Sequence, residues 1–138
     1  MGAMLGAIAQ IAASQQAAKA HRASGQAEAQ ALRDKAESAE NAAQDREILR
    51  LQNIRRTISS QRAYWAAAGI DPATGSPNTI SDRSYETFEL DQGADLINTR
   101  QQIRSYNNSA DAAIRISRIK ARGSILTGAM GAAQTWNT

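Results

Sequence analysis

Apolar residues recur along the first half of this chain at steps of three, four and seven. The series runs Leu32, Ala36, Ala39, Ala43, then Leu51, Ile54, Ile58 and Trp65, with one step of eight between Ala43 and Leu51. That spacing is the seam of a helix packed along another helix. Between residues 3 and 68 there is no proline, and the only glycines are Gly6 and Gly25. The pattern predicts one long helix over about 3–68, with 23–25 as its candidate break. The seam is mostly alanine at first, which permits close approach. Later it becomes Ile, Leu and Trp, which can bury more area.

A helix stop, a loop and a helix start follow within ten residues, Gly69-Ile-Asp-Pro-Ala-Thr-Gly-Ser-Pro-Asn78. Gly69 suits the left-handed residue that ends a helix. Asp71-Pro72 and Thr74-Gly75 are turn dipeptides. Ser76 before Pro77 reads as an N-cap followed by proline at the first helical position. The turn therefore spans 69–77, built on Gly69, Pro72, Gly75, Ser76 and Pro77.

The second helix is predicted over about 77–134. Tyr85, Phe88, Leu96, Ile103, Tyr106, Ala110, Ile114, Ala121 and Ile125 lie near one face. Ile103, Ile114 and Ile125 are eleven apart, as are Tyr85 and Leu96. An eleven-residue period implies nearly straight or slightly right-handed packing. Asn107 and Ser117 interrupt related positions, 107–109 is a candidate kink, and Gly93 is an interior weak point.

Two helices of similar length joined by a short loop become antiparallel neighbours. At 1.5 Å per residue each would span roughly 90 to 100 Å if unbroken. The expected fold is all-α, a single helical-hairpin domain over 1–138 with both ends of the chain together. A lone hairpin encloses no core, so its outer apolar faces predict a homo-oligomer, a ring or tube of many subunits. Leu51, Ile54, Ile58, Trp65, Phe88, Leu96, Ile103, Ile114 and Ile125 are the expected helix-packing and oligomer-interface residues.

Composition sharpens this picture. Of 138 residues, 29 are alanine, 13 isoleucine and 7 leucine; valine and cysteine are absent, and six residues are aromatic. Scarce strand formers disfavour a sandwich, a barrel or an α/β fold, while Ala, Gln, Arg and Glu favour helix. The lack of cysteine removes disulfides, thiol catalysis and thiolate metal sites. The net charge is +3, with Arg supplying 13 of 16 cations. Acids are interleaved with bases, so ion-paired helix surface is the expected use of these arginines. The 46–62 arginines, expected alongside 84–100, and the 100–122 cations could also touch nucleic-acid phosphates nonspecifically. Few aromatics interleave with them, which argues against stacking on single strands.

The two ends share a composition. Residues 1–13 and 123–136 mix Gly, Ala, Met, Leu and Ile and carry no charged side chain. Gly2 and Gly6 form a G-x-x-x-G pair, and Trp136 resembles an interfacial anchor. Met1, Met4, Leu5, Ile8, Ile11, Ile125, Leu126, Met130 and Trp136 form a candidate membrane tip, with packing between subunits as the competing use. No apolar run reaches transmembrane length. Residues 1–13 lack a preceding cationic segment, since the first lysine is Lys19, so a secretory signal is not expected.

Catalytic chemistry is not expected. His21 is the only histidine and has no partner motif for a metal. There is no phosphate-binding glycine loop. Glu37 with Glu40, Asp82 with Glu86 and Asp91 with Asp95 are carboxylate pairs of the kind any long helix carries. No base is placed to activate a hydroxyl. The sequence predicts no catalytic, metal or cofactor site.

One resemblance spans most of the chain. Its elements are the Gly/Ala/Met-rich start 1–13, the Gln/Ala-rich Gln15-Gln16-Ala-Ala-Lys-Ala-His21 and the turn Arg62-Ala-Tyr-Trp-Ala-Ala-Ala-Gly-Ile-Asp-Pro-Ala-Thr-Gly-Ser-Pro77. Then come Asn98-Thr-Arg-Gln-Gln-Ile-Arg-Ser-Tyr106 and a Gly/Ala-rich end. Together they resemble the small internal virion (DNA-ejection) proteins of tailed phages, nearest the short internal core protein of T7-like podoviruses. The resemblance implies a noncatalytic protein held in the capsid interior near the portal, alongside portal and other internal virion or tail proteins. It would oligomerise, leave with the DNA and help form a conduit through the host envelope, with host-membrane contact after ejection. The chain is shorter than that family and lacks its polar tail, which keeps open a fixed adaptor, neck or tail component. A bacterial helical-hairpin secretion or pore-forming protein is a further alternative; the secreted hairpins with Trp-x-Gly at the bend differ here, where Ala66-Ala67 follow Trp65.

Overall fold

The computed structural model of the chain describes residues 2–135, and side chains from 6 to 134. Two helices account for nearly all of it. Helix α1 runs Gly2–Ala67 over 66 residues, and helix α2 runs Ser76–Thr135 over 60. They pack against each other in hairpin fashion. Helical structure continues through 23–25 and 107–109, so neither candidate interruption ends a helix. The chain divides into two compact units: residues 1–36 with 105–138, and residues 37–104.

The 37–104 unit contains the turn. Helix α1 ends in a Schellman motif: Ile70 N donates to Trp65 O at 2.9 Å and Gly69 N to Ala66 O at 3.0 Å. This geometry needs the left-handed backbone that Gly69 supplies at φ 76°. Asp71 Oδ1 accepts from Ala73 N at 2.9 Å, an Asx turn. The start of α2 lies one residue earlier than the sequence suggests. Thr79 N donates to Gly75 O at 3.2 Å, so Gly75, at φ 66°, holds the capping position. Ser76 is already helical. Pro77 stays within the first turn, where its missing N–H costs nothing.

In this unit the seam joins Ile58, Ile54 and Trp65 of α1 to Pro77, Ser81, Phe88, Thr99 and Ile103 of α2. Ile58, Pro77, Ser81 and Thr99 are buried; Ile54, Trp65, Phe88 and Ile103 are half-buried. Leu51, expected in the seam, is exposed, and the half-buried position beside it is Arg50. From Ala43 the helix reaches Ile54 in steps of four, three and four, passing Glu47 and Arg50. The step of eight from Ala43 to Leu51 overshoots this face by one residue.

In the other unit the seam is made of small side chains. Ala7, Ala18 and Ala29 are buried and eleven apart, and Gly25 and Ala36 are buried beside them. From α2, Ala110, Ala121 and Ala132 repeat the same step, with Ala113, Ser117 and Gly128 buried between them. The eleven-residue period is thus present in both helices. Along α2 it is centred on the line of Pro77, Phe88, Thr99, Ala110, Ala121 and Ala132. The isoleucine line sits to one side: Ile103 and Ile114 are half-buried, while Ile125, Tyr85 and Leu96 are exposed. Alanine takes the centre because a small side chain lets two backbones approach, and isoleucine then fills the flank.

Size and burial are therefore inverted. Among the described residues the core is eight alanines and Ile58. Leu90, Tyr64, Met130, Ile119, Leu126 and Ile8 are each about two-thirds exposed.

Candidate functional site

The most developed side-chain cluster lies at the middle of the 37–104 seam. Opposite charges on antiparallel helices meet there. Asp95 Oδ2 accepts from Arg46 Nε at 3.3 Å and from Arg50 Nη1 at 3.2 Å. Arg46 Nη2 also donates to Thr99 Oγ1 at 3.3 Å, and Gln92 Nε2 donates to Glu47 Oε1 at 2.6 Å. The Arg46 hydrogen bond, with Arg50 beside it, holds the Asp95 carboxyl below its ordinary range, against the opposing push of partial desolvation. Glu47, Arg50, Gln92, Asp95, Thr99 and Leu96 line an open groove of about 600 Å³.

A carboxylate held ionised by two guanidiniums is a poor proton donor or acceptor near neutral pH. Its effect is positional: two arginines on α1 bracket one aspartate on α2 and set the register of the helices. The expected neighbourhood of 46–62 with 84–100 is present. By sequence spacing Asp95 is one of the ordinary helix-surface carboxylates, and its fixed position comes only from the facing helix. The signal was the misfit of Leu51 beside Arg50, one helical turn after Arg46.

Further along this seam, Gln61 Oε1 is enclosed and accepts no hydrogen bond from a described residue. Trp65 stacks edge-on with Tyr64, ring centres 5.4 Å apart.

Of the candidate tip, Ile8, Ile11, Ile125, Leu126 and Met130 are exposed. Met1, Trp136 and the side chains of Met4 and Leu5 lie outside the described residues. No described helix is long and apolar enough to cross a membrane. Of the expected packing residues, Ile58 is buried; Ile54, Trp65, Phe88, Ile103 and Ile114 are half-buried; Leu51, Leu96 and Ile125 face outward. Among the described residues, no group of three or more His, Asp or Glu side chains could hold a metal ion.

Compared with known proteins, the chain matches no family model, no curated sequence and no solved structure.

Proposed function

We propose that this chain is a noncatalytic, self-assembling structural protein whose outward helix faces are completed by further copies. The observation that carries this reading is the inversion of size and burial. Alanines fill the seam while Leu90, Ile97, Ile119, Leu126 and Met130 of α2 stay exposed. Exposed single apolar residues are ordinary, but in each unit they recur at helical spacing, Leu90 with Ile97 in one and Ile119, Leu126 and Met130 in the other, as interaction surfaces do.

The sequence of α2 has an internal symmetry. Counted outward from Asn108, equal distances reach Ile97 and Ile119, Gly93 and Gly123, and Leu90 and Leu126. An antiparallel α2 from a second copy, related by a two-fold axis at Asn108, would pair Ile97 with Ile119, Gly93 with Gly123 and Leu90 with Leu126. A Cβ added at Gly93 or Gly123 would meet nothing within 4 Å, which leaves room for a close second helix.

By resemblance, the setting we propose is the phage virion: an internal core or ejection protein near the portal, forming a ring or tube that helps carry DNA through the host envelope. The exposed apolar residues toward both ends support a tip that meets lipid or another virion protein. A fixed adaptor, neck or tail component is the second reading. The test is the protein content of particles before and after DNA release. Loss of this chain with the DNA supports ejection, and retention supports the fixed component. Absence from particles overturns both.

A further inference from the structure

Charge is divided unequally between the two units. Residues 1–36 and 105–138 hold eight Lys or Arg against three Asp or Glu, a balance of +5; residues 37–104 hold eight against ten, a balance of −2. The surplus gathers around a groove of about 440 Å³ lined by Arg22, Gln26, Ile114, Ser117, Arg118 and Arg122. No carboxylate lines it, and none of its three arginines is ion-paired among the described residues.

The eleven-residue repeat shows what is missing there. Arg33 of α1 meets Asp111 of α2 at 3.7 Å. One repeat further along each helix, the corresponding residues are Arg22 and Arg122. Where one level of the seam sets a cation against a carboxylate, the next sets a cation against a cation, with Arg118 beside them. Three guanidiniums gathered without a counter-charge repel one another, and an oxyanion between them removes that repulsion. Guanidinium groups match phosphate oxygens in geometry as well as charge.

We propose that the Arg22–Arg118–Arg122 groove binds a phosphate group of a nucleic-acid backbone. No aromatic side chain lines it, so it recognises the backbone and not the base. None of its lining residues is an exposed apolar side chain, which a lipid surface would engage; Ile114 is half-buried in the seam.

The test measures binding of short duplex DNA across a salt series. The wild-type chain is compared with the triple variant Arg22→Gln/Arg118→Gln/Arg122→Gln and with Arg55→Gln/Arg56→Gln/Arg62→Gln, which removes equal charge from the other unit. The first triple is expected to weaken binding about tenfold or more and to lower the salt slope by about one per lost phosphate contact. The second should change binding far less. Inorganic phosphate should raise the Tm of the wild type and leave the first triple unchanged. Equal losses in both triples, or no DNA binding by the wild type at low salt, overturn the site. So does a loss of binding to anionic phospholipid vesicles with DNA binding intact. If circular dichroism shows the triple unfolded, Arg22→Gln alone carries the same comparison.

Discussion

Gly25 of α1 lies directly against Ser117 of α2: a side-chain carbon added at Gly25 would overlap the Ser117 Cβ and Oγ and come within 3.2 Å of Ala113 O. One repeat away the same contact is made with the partners exchanged, Gly128 of α2 against Ser14 of α1. Each serine turns its hydroxyl back onto its own helix, Ser117 to Ile114 O and Ser14 to Ile11 O, both at 2.8 Å. The seam thus contains two glycine–serine locks one repeat apart.

Replacing Gly25 with alanine pits a helix-propensity gain of about 1 kcal/mol against an overpacking cost of about 1–3 kcal/mol. Because serine's Cβ cannot move without its backbone, the cost prevails and Gly25→Ala lowers the Tm. Adding Ser117→Gly should recover most of that packing loss, giving a coupled double-mutant cycle in denaturant melts. Additive effects would show that the helices do not touch here.

The Asp95 carboxyl sits lower in the folded chain than its unfolded value near 3.9. A lowered carboxyl contributes stability that is present above the unfolded value and is lost as pH falls through the folded one. Stability should therefore drop on acidification below about pH 4. The Asp95→Asn variant should lose part of that dependence. Urea midpoints between pH 6 and pH 2 measure it, and parallel curves for the two chains would remove Asp95 from the account.

Gln61→Leu removes an enclosed carbonyl that no described residue satisfies. Replacing it with an apolar group of similar size should stabilise the chain by about 1 kcal/mol. Thermal melts of the two proteins decide it; a lower Tm would mean that Oε1 is satisfied in solution.

The sequence symmetry of α2 and the two-fold pairing proposed from it give a direct cross-linking test. The chain has no cysteine, so Asn108→Cys introduces a single thiol at the centre of the symmetry. Under mild oxidation it should form a disulfide-linked dimer, while a cysteine placed at Ala94 should not. Ile97→Asp and Ile119→Asp should each shift sedimentation toward smaller species by placing a charge in the interface. A monomeric wild-type chain, unaltered by either substitution, would remove this surface.

Purified protein with and without residues 1–13 separates a membrane role from a purely protein-facing tip. If the ends engage lipid, the full chain should release dye from vesicles and the shortened chain should not. No release at any pH by either form removes lipid from the account of those ends.

The helices themselves could be read from the residues. The absence of proline from 3 to 68, the run from Gly69 to Pro77 and the eleven-residue period needed only local physics. Backbone conformation at Gly69 and helix continuity depend on near neighbours. What the sequence left open was which parallel line of an eleven-residue repeat faces the partner helix. Ile103, Ile114 and Ile125 and Thr99, Ala110 and Ala121 have the same period, and apolar bulk favoured the first line. The tertiary structure chose the second, because two backbones approach most closely over small side chains. The same choice exposed Leu51, set Arg50 against Asp95 and brought Arg22 beside Arg122. Period is a property of one helix, but phase exists only between two.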